Sequence, residues 1–352
     1  DCLLSRGLGD VYKRQAYGYF WLVKEFGGVP YISEPYTSTE GMYKERLSAE
    51  EVYKKIEADL LDIVNGDALP NKTFYENGCY VTRAMAQTLL AQVYLQWAGA
   101  PLNGGADYYG KAAQMALKVI NDSPHELIHP NGTTDDLNSA YNVIKTTKES
   151  AEIIYAKEYN YTNYSVGNSY ACRSIGTDAF QWGVFHPGGD VLYNAYLPCD
   201  MLLNSYASND IRGHEKQFFF KQYTDAEGKT YTLNNAGNWA WFDENALISG
   251  HDGDYNMPVF RFAEVLLIAA EGLARTNHED NAVGGAKYYL NQVRKRAGLA
   301  DETATGNDLI QSILTERLHE LPLEFKIWDD IRRTRLYPEA STESGKLKWT
   351  AL

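Results

Sequence analysis

The sequence predicts a mainly α chain: a tetratricopeptide-like α-solenoid of helix pairs, interrupted by a long irregular excursion. Three observations predict it. Apolar residues recur at helical spacing in two blocks, residues 16–120 and 258–335. Within each block the helices come in antiparallel-looking pairs with short connections, two pairs per block, which suits stacked helix pairs that bury their faces on one another. Between the blocks, residues 121–257 lose the 3.6-residue period and fill with Asn, Gly, Tyr and Trp. Residues 16–352 are therefore expected to form one domain, with residues 336–352 a short tail.

The elements follow in order. Ala16–Phe26 carries large apolar residues on successive helical turns and stops at Gly27-Gly28, as a glycine-ended helix does. Residues 30–46 read as a turn-rich loop. Ser48 with Glu51 three residues on is a capping box, opening a helix with Val52, Tyr53, Ile56, Leu60 and Ile63 on one face. Thr82 opens a third helix, whose Ala84, Ala86 and Ala91 allow close helix approach, and Tyr108–Ile120 forms a fourth, ended before Pro124. In the excursion Ala151–Tyr155 reads as a short strand. Helical order returns with Val259–Arg275, Gly285–Ala297, Asp308–Glu320 and Leu323–Arg335, the last two separated by Pro322.

The 352 residues are enough for a full core, and 44 % hydrophobic against 22 % charged residues is globular composition. A net charge of −13 argues against nucleic acid, whose phosphates need a basic face. No apolar run is long enough to span a bilayer as a helix. Tyrosine is over-represented, with 27 Tyr beside 12 Phe and 7 Trp; its apolar face and polar tip suit wet contact surfaces. Residues 1–15 lack the features of a signal peptide and read as a non-native, adapter-derived segment, so they are set aside.

Catalytic motifs are absent. The sequence contains no G-x-S-x-G, H-E-x-x-H, phosphate-loop or dinucleotide fingerprint, and the expectation is a protein that is not an enzyme. The seven histidines lack metal-site spacing; His125 and His129 stand four apart, but Pro124 and Pro130 speak against a helix there. His251-Asp252-Gly253-Asp254 has oxygens that calcium can use but is too short for an EF-hand loop, so an acidic surface turn is the favoured reading and no cofactor is expected. Of Cys2, Cys79, Cys172 and Cys199, the pair Cys172 and Cys199 lies in one segment, and free buried thiols are favoured over a disulfide.

Several blocks carry a resemblance. The first runs from Trp21 through LVKEFGGVP to Pro30, then Arg46, Val52-Tyr53-x-x-Ile56, Asp59-Leu60 and the helix from Thr82 to Leu95. Next comes Leu202–Arg212 with Asp210-x-Arg212. The last contains Pro258-Val-Phe-Arg261-Phe-Ala263-Glu264, Ala270-Glu271, Leu290-Asn291-x-Val293-Arg294-x-Arg296-Ala-Gly298, Glu316-Arg317, Glu320-Leu321, Glu324 and Trp328-x-Asp330-Ile331-x-Arg333. In this order, over roughly residues 16–335, the chain resembles the SusD/RagB family of outer-membrane nutrient-binding lipoproteins of Bacteroidota. Phe325 departs from that pattern, standing where the family usually has glycine, and Ile327 stands where it often has arginine. The lipoprotein signal, the anchor cysteine and the family's C-terminal close are not found, so the chain is expected to be a fragment truncated at both ends.

The resemblance implies a non-enzymatic protein held by a lipid anchor on the extracellular face of the outer membrane. There it would capture an oligosaccharide and deliver it to a SusC-like TonB-dependent transporter. Alternatives are a RagB-like peptide binder and a structural subunit of the transporter complex without a ligand of its own. Arg261, Glu264, Arg294 and Arg296 are expected to be structural, because charge among apolar helix faces must be paired. Sugars are gripped by aromatic stacking and by polar side chains, and the excursion supplies both. The expected ligand-binding residues are Tyr159, Tyr161, Tyr164, Trp182, Asn163, Asp178, Trp239 and Trp241. Around them stand Tyr170, Tyr193, Tyr196, Asn160, Asn168, Asn194 and Asn238, with Tyr36 and Tyr43 in the first interhelical loop.

Overall fold

The computed structural model describes residues 15–33, 36–39, 41–66, 69–129, 136–186 and 196–352. Two compact units emerge. One holds the chain up to His125 with Glu264–Tyr289 and Trp328–Leu336; the other holds Glu126–Ala263, Leu290–Ile327 and Tyr337–Leu352.

The first unit is helical, as the apolar period predicts. Helix α1 covers residues 15–26 and ends at Gly27, whose φ of +69° favours glycine and whose amide bonds back to the Val23 carbonyl. Arg46 donates to the Phe26 and Gly28 carbonyls and so ties the following loop to this helix end. Helix α2 (Ala49–Asn65) starts with the expected capping box: the Glu51 amide donates to Ser48 Oγ and the Ser48 amide to the Glu51 carboxylate. Helix α3 (Arg83–Ala98) is buried on almost every side, and α4 (Gly105–Asp122) packs Tyr109, Ala112, Ala113, Met115, Ala116 and Val119 inward.

Helix α9 (Phe262–Ala274) contributes Val265, Leu266, Leu267 and Ile268 to this core, all fully buried. Its Gly272 is required by close approach to α4: a Cβ there would lie 2.9 Å from Ala113 Cβ, closer than real side chains come. Arg333, on α12 (Ile327–Thr334), is buried and bidentate on Glu271, at 2.6 Å for each bond, with Asp330 as its second partner. Gln92 likewise donates to Glu264.

The second unit is built differently. Strand β1 (Ile153–Lys157) pairs antiparallel with β4 (Met257–Arg261), two residues later than the predicted strand begins. Strands β2 (Phe219–Thr224) and β3 (Thr230–Asn238) form a hairpin. Short helices α5 (Ala140–Thr146), α6 (Tyr161–Tyr164), α7 (Asp200–Ser205) and α8 (Glu244–Ser249) punctuate the excursion. An aromatic and aliphatic cluster of Ile175, Phe185, Phe220, Tyr223, Leu233, Phe242 and Leu247 forms its apolar centre. Helix α10 (Ala286–Arg296) ends in this unit, and α11 (Gly306–Glu320) lies within it. The tail, to which the sequence assigned no element, pairs as strands β5 (Leu336–Ala340) and β6 (Leu347–Ala351).

Two helices start later than predicted. The sequence reads Val259–Arg275 as helical, yet Val259, Phe260 and Arg261 belong to strand β4, whose pairing with β1 holds them extended, and α9 begins at Phe262. It also reads Leu323–Arg335 as helical, yet α12 begins only at Ile327, because Phe325 has φ +58° and a left-handed residue interrupts a helix. Among the described residues no helix is long and apolar enough to cross a membrane.

Candidate functional site

The excursion lacks a periodic core, and a buried ion network holds it in place. Arg212 reaches Asp210 at 2.7 Å, Glu316 at 2.6 Å and Glu320 at 3.2 Å. Arg261 reaches Glu152 at 2.7 Å, Glu320 at 3.0 Å and Glu324 at 2.7 Å. Arg296 reaches Glu152 at 2.5 Å and also pairs with Glu320. All three arginines are buried, so the structural role expected for Arg261 and Arg296 is what their contacts show. Burial alone pushes the Glu320 carboxyl up, but Arg296, Arg261 and Arg212 together pull it below the usual carboxylate range. For Glu316 burial wins over Arg212 and Arg294, and its carboxyl is raised. The network links loop, strand and helix at fixed geometry, and its last member, Glu324, directly precedes Phe325.

Phe325 belongs to a cluster of four aromatic rings. It stacks on Trp241 with ring centres 5.7 Å apart and lies 5.5 Å from Tyr170 and 6.3 Å from Tyr196. Tyr170 stands 4.8 Å from Trp241 and 5.8 Å from Tyr196. The Arg173 guanidinium lies over both tyrosines, at 5.3 and 5.8 Å. Trp241 is buried at 7 % exposure, whereas Phe325 is 42 % exposed, so the cluster has an inner anchor and an open edge. Two asparagines set its backbone: Asn168 Oδ1 accepts from the Tyr170 amide, and Asn238 Nδ2 donates to the Tyr196 carbonyl.

Beside Trp241 lies a cavity of about 60 Å³, lined also by Lys145, Asn168, Asn256 and Leu323. This is room for a few waters or a single polar substituent, not for a sugar ring. Lys145 sits in an aromatic cage, 4.0 Å from the centre of Trp239, 5.0 Å from Tyr255 and 5.8 Å from Phe242. Burial lowers its pKa to about 7, against a smaller opposing pull from Asp243.

The eight predicted residues occupy several local settings. Trp241 anchors the aromatic cluster. Trp239 stacks on Phe242 at 5.3 Å and donates to Asn142 Oδ1, which makes it part of the Lys145 cage. Trp182 stacks on Tyr231 at 4.9 Å against the apolar centre, and Asp178 accepts from the Asn234 amide. Tyr161 stacks on His251 at 4.3 Å, Tyr164 is 75 % exposed, Asn163 bonds locally to Asn160, and Tyr159 is partly buried. Tyr36 and Tyr43 belong to the first unit, where Tyr43 is exposed. Tyr193 and Asn194 lie outside the described residues. Sequence reasoning did not name Lys145, Arg173 or Phe325 as site residues; the signal for Phe325 was its place in a glycine position.

In the acidic turn at His251 the Asp254 carboxylate is taken up by the neighbouring backbone and by Thr162. Asp254 accepts from the Tyr161 and Thr162 amides and the Thr162 hydroxyl, and Asp243 from the Ala246 and Asp254 amides. Among the described residues no group of three or more His, Cys, Asp or Glu is placed to hold a metal. Cys172 is buried and Cys199 is exposed, so for this pair the expectation of burial holds for Cys172 alone; Cys79 is also exposed.

A mainly helical unit joined in sequence to a loop-rich unit with a partly open aromatic cluster fits a binding protein. A sequence profile of the SusD family matches residues 151–346, and a second, described as starch-binding associating with outer membrane, matches residues 7–95. The chain belongs to the SusD family, a family of non-catalytic binding proteins. It is 28 % identical to SusD-like protein P2 of Formosa agariphila over 96 % of its own length and 66 % of that relative's. A SusD superfamily protein from Parabacteroides distasonis is 26 % identical, with a TM-score of 0.82 over 97 % of this chain and 70 % of that one. Surface glycan-binding protein A from Bacteroides thetaiotaomicron, solved in complex with laminarihexaose, shares the fold at 21 % identity, with a TM-score of 0.69 over 93 % of this chain and 68 % of that one. The tetratricopeptide-like helical architecture expected from the sequence is the one these proteins have.

Proposed function

We propose that this chain captures a glycan on the Tyr170, Tyr196, Trp241 and Phe325 cluster. One observation carries the reading: four rings converge, and the outermost is exposed on a backbone conformation that disfavours a side chain. Non-glycine residues in the left-handed region persist where the surroundings impose them, and such positions gather at functional sites. A sugar's apolar face stacks on the open edge of Phe325 and Tyr170, while Arg173 donates to its hydroxyls. The neighbour that binds laminarihexaose supports the ligand class, and family membership supports a place on the outer-membrane surface. In that setting the protein hands its ligand to a SusC-like TonB-dependent transporter.

The test is affinity electrophoresis through gels containing a panel of neutral and acidic polysaccharides. At least one glycan retards the protein, and Phe325→Ala or Tyr170→Ala weakens that retention about tenfold, the equivalent of ~1.4 kcal/mol. Trp182→Ala and Tyr161→Ala leave it unchanged. Full retention by folded Phe325 and Tyr170 variants overturns the site, and binding of peptides with no binding of glycans overturns the ligand class. Co-purification with an outer-membrane transporter checks the partner.

A further inference from the structure

We propose that the cavity at Lys145 is a subsite for an anionic substituent, a carboxylate or sulfate ester, on the sugar held by the neighbouring aromatic cluster. The proposal rests on the glycan reading above and adds the ligand's charge.

Three observations carry it. First, Trp241 both lines the cavity and stacks under Phe325, so a sugar on the cluster directs a substituent into the cavity. Second, the ammonium is held in place. Trp239 is fixed by its bond to Asn142, Phe242 is buried, and both rings, with Tyr255, face Lys145 Nζ. Third, the charge is not neutralised by the protein. Among the described residues no carboxylate forms an ion pair with Lys145, and the cavity's own acid, Glu324, is already paired with Arg261. Asn168 and Asn256 line the same cavity with polar groups that complete the setting for an oxygen anion.

The charged and titratable groups around Lys145 are few. Tyr141 and Lys148 share its segment, and Asp243 acts on it from the start of α8. Lys216 lies 5.4 Å from the centre of the same Trp239 ring and adds a second positive charge there. Asp243 spends its oxygens on the Ala246 and Asp254 amides, Glu244 accepts from the Tyr223 hydroxyl, and the Tyr255 hydroxyl stays neutral because burial raises its pKa. Lys145, held near pKa 7 when the cavity is free, gains from an incoming anion, which favours the ammonium and raises that value. Binding therefore takes up a proton above about pH 7, and affinity falls there by up to about tenfold per pH unit.

The net charge of −13 repels anionic ligands at long range, and salt at about 0.15 M screens that repulsion beyond about 8 Å, so the preference is read there at the short-range subsite.

The experiment is calorimetric titration with hexagalacturonate, κ-carrageenan hexasaccharide and laminarihexaose, at about pH 6 and about pH 8.5. The two acidic probes separate carboxylate from sulfate. The expected result is at least about tenfold tighter binding of one acidic probe than of the neutral one at the lower pH, and much less preference at the higher pH. Lys145→Met abolishes the preference without changing affinity for the neutral probe. Lys145→Arg keeps the preference and removes its pH dependence, which gives a readout even where the methionine variant folds poorly. Equal binding of acidic and neutral probes, or a preference that survives Lys145→Met, overturns the anionic subsite and leaves the glycan reading standing. Absence of binding to all three, with no glycan retained in gels, overturns both.

Discussion

The two units bury arginine in contrasting settings. In the first, Arg333 sits among helices whose apolar faces already specify their packing, and two acids satisfy it, Asp330 on its own helix and Glu271 on α9. In the second, Arg212, Arg261 and Arg296 share Glu320 and join segments more than a hundred residues apart in sequence, as Arg296 does with Glu152. Apolar contact is non-directional, so it fixes elements only when their own periodicity presents a face. An irregular chain lacks that face, and directional bonds set its geometry instead. Such a network costs desolvation and need not add net stability. Its removal in part, however, leaves charge buried without compensation.

The largest effect therefore belongs to the second unit. Arg296→Met leaves Glu152 and Glu320 with fewer cationic partners at full burial and is expected to cost about 3–5 kcal/mol. Glu316→Gln is much milder, since burial already disfavours its charge. Urea denaturation of both variants checks the pair; equal costs would mean that the network acts by packing and not by charge. In the first unit the matching perturbation is apolar. Leu266→Ala removes a fully buried side chain from α9 and is expected to cost about 2–5 kcal/mol, with the spread set by how far the core relaxes.

A smaller effect is titratable. His319 is buried on α11, where its Nε2 and the Ser205 hydroxyl lie 2.7 Å apart and its ring stacks on Tyr206 at 4.4 Å. Burial, with Arg212 nearby, lowers its pKa to about 3. Unfolded histidine titrates near pH 6.5, so between about 3 and 6.5 the unfolded chain binds the extra proton. This contribution is therefore fully present above about pH 6.5 and is lost as pH falls, by up to ~1.4 kcal/mol per unit. Denaturation midpoints at several pH values between about 5 and 7 show the slope, and His319→Gln flattens it. An unchanged slope in that variant would assign the effect to other groups.

The same contrast explains what was legible in the sequence. The Ser48–Glu51 capping box, the apolar face of α2 and the glycine end of α1 are local, and each was readable within a few residues. The family blocks named Arg261, Arg296, Glu316 and Glu320, but not which acid meets which base, because Glu152 and Arg296 are distant in the chain. Asn168 and Asn238 were read beside the ligand residues as polar sugar contacts; they spend bonds on the Tyr170 amide and the Tyr196 carbonyl. Trp182 and Trp239 have the composition of a binding surface, yet their rings lie against Tyr231 and Phe242. Lys145 gave no local sign, since its chemistry arises from rings contributed by later residues. Phe325 alone was marked, as a side chain in a glycine's place.

That position supplies the smallest effect on stability. Phe325→Gly relieves a left-handed residue, worth about 1–3 kcal/mol, but gives up ring contacts with Trp241 and Tyr170 and adds freedom to the unfolded chain. These terms oppose one another, so the net change is expected to stay within about 1 kcal/mol. Phe325→Ala loses the ring and keeps the strain, so it is the less stable of the two. Both lose the exposed edge of the cluster, and glycan retention weakens in both. If the glycine variant is as stable as the parent and retains glycan fully, the ring serves packing alone. If it is stable and fails to bind, the strained backbone at Phe325 is maintained for the ligand and not for the fold.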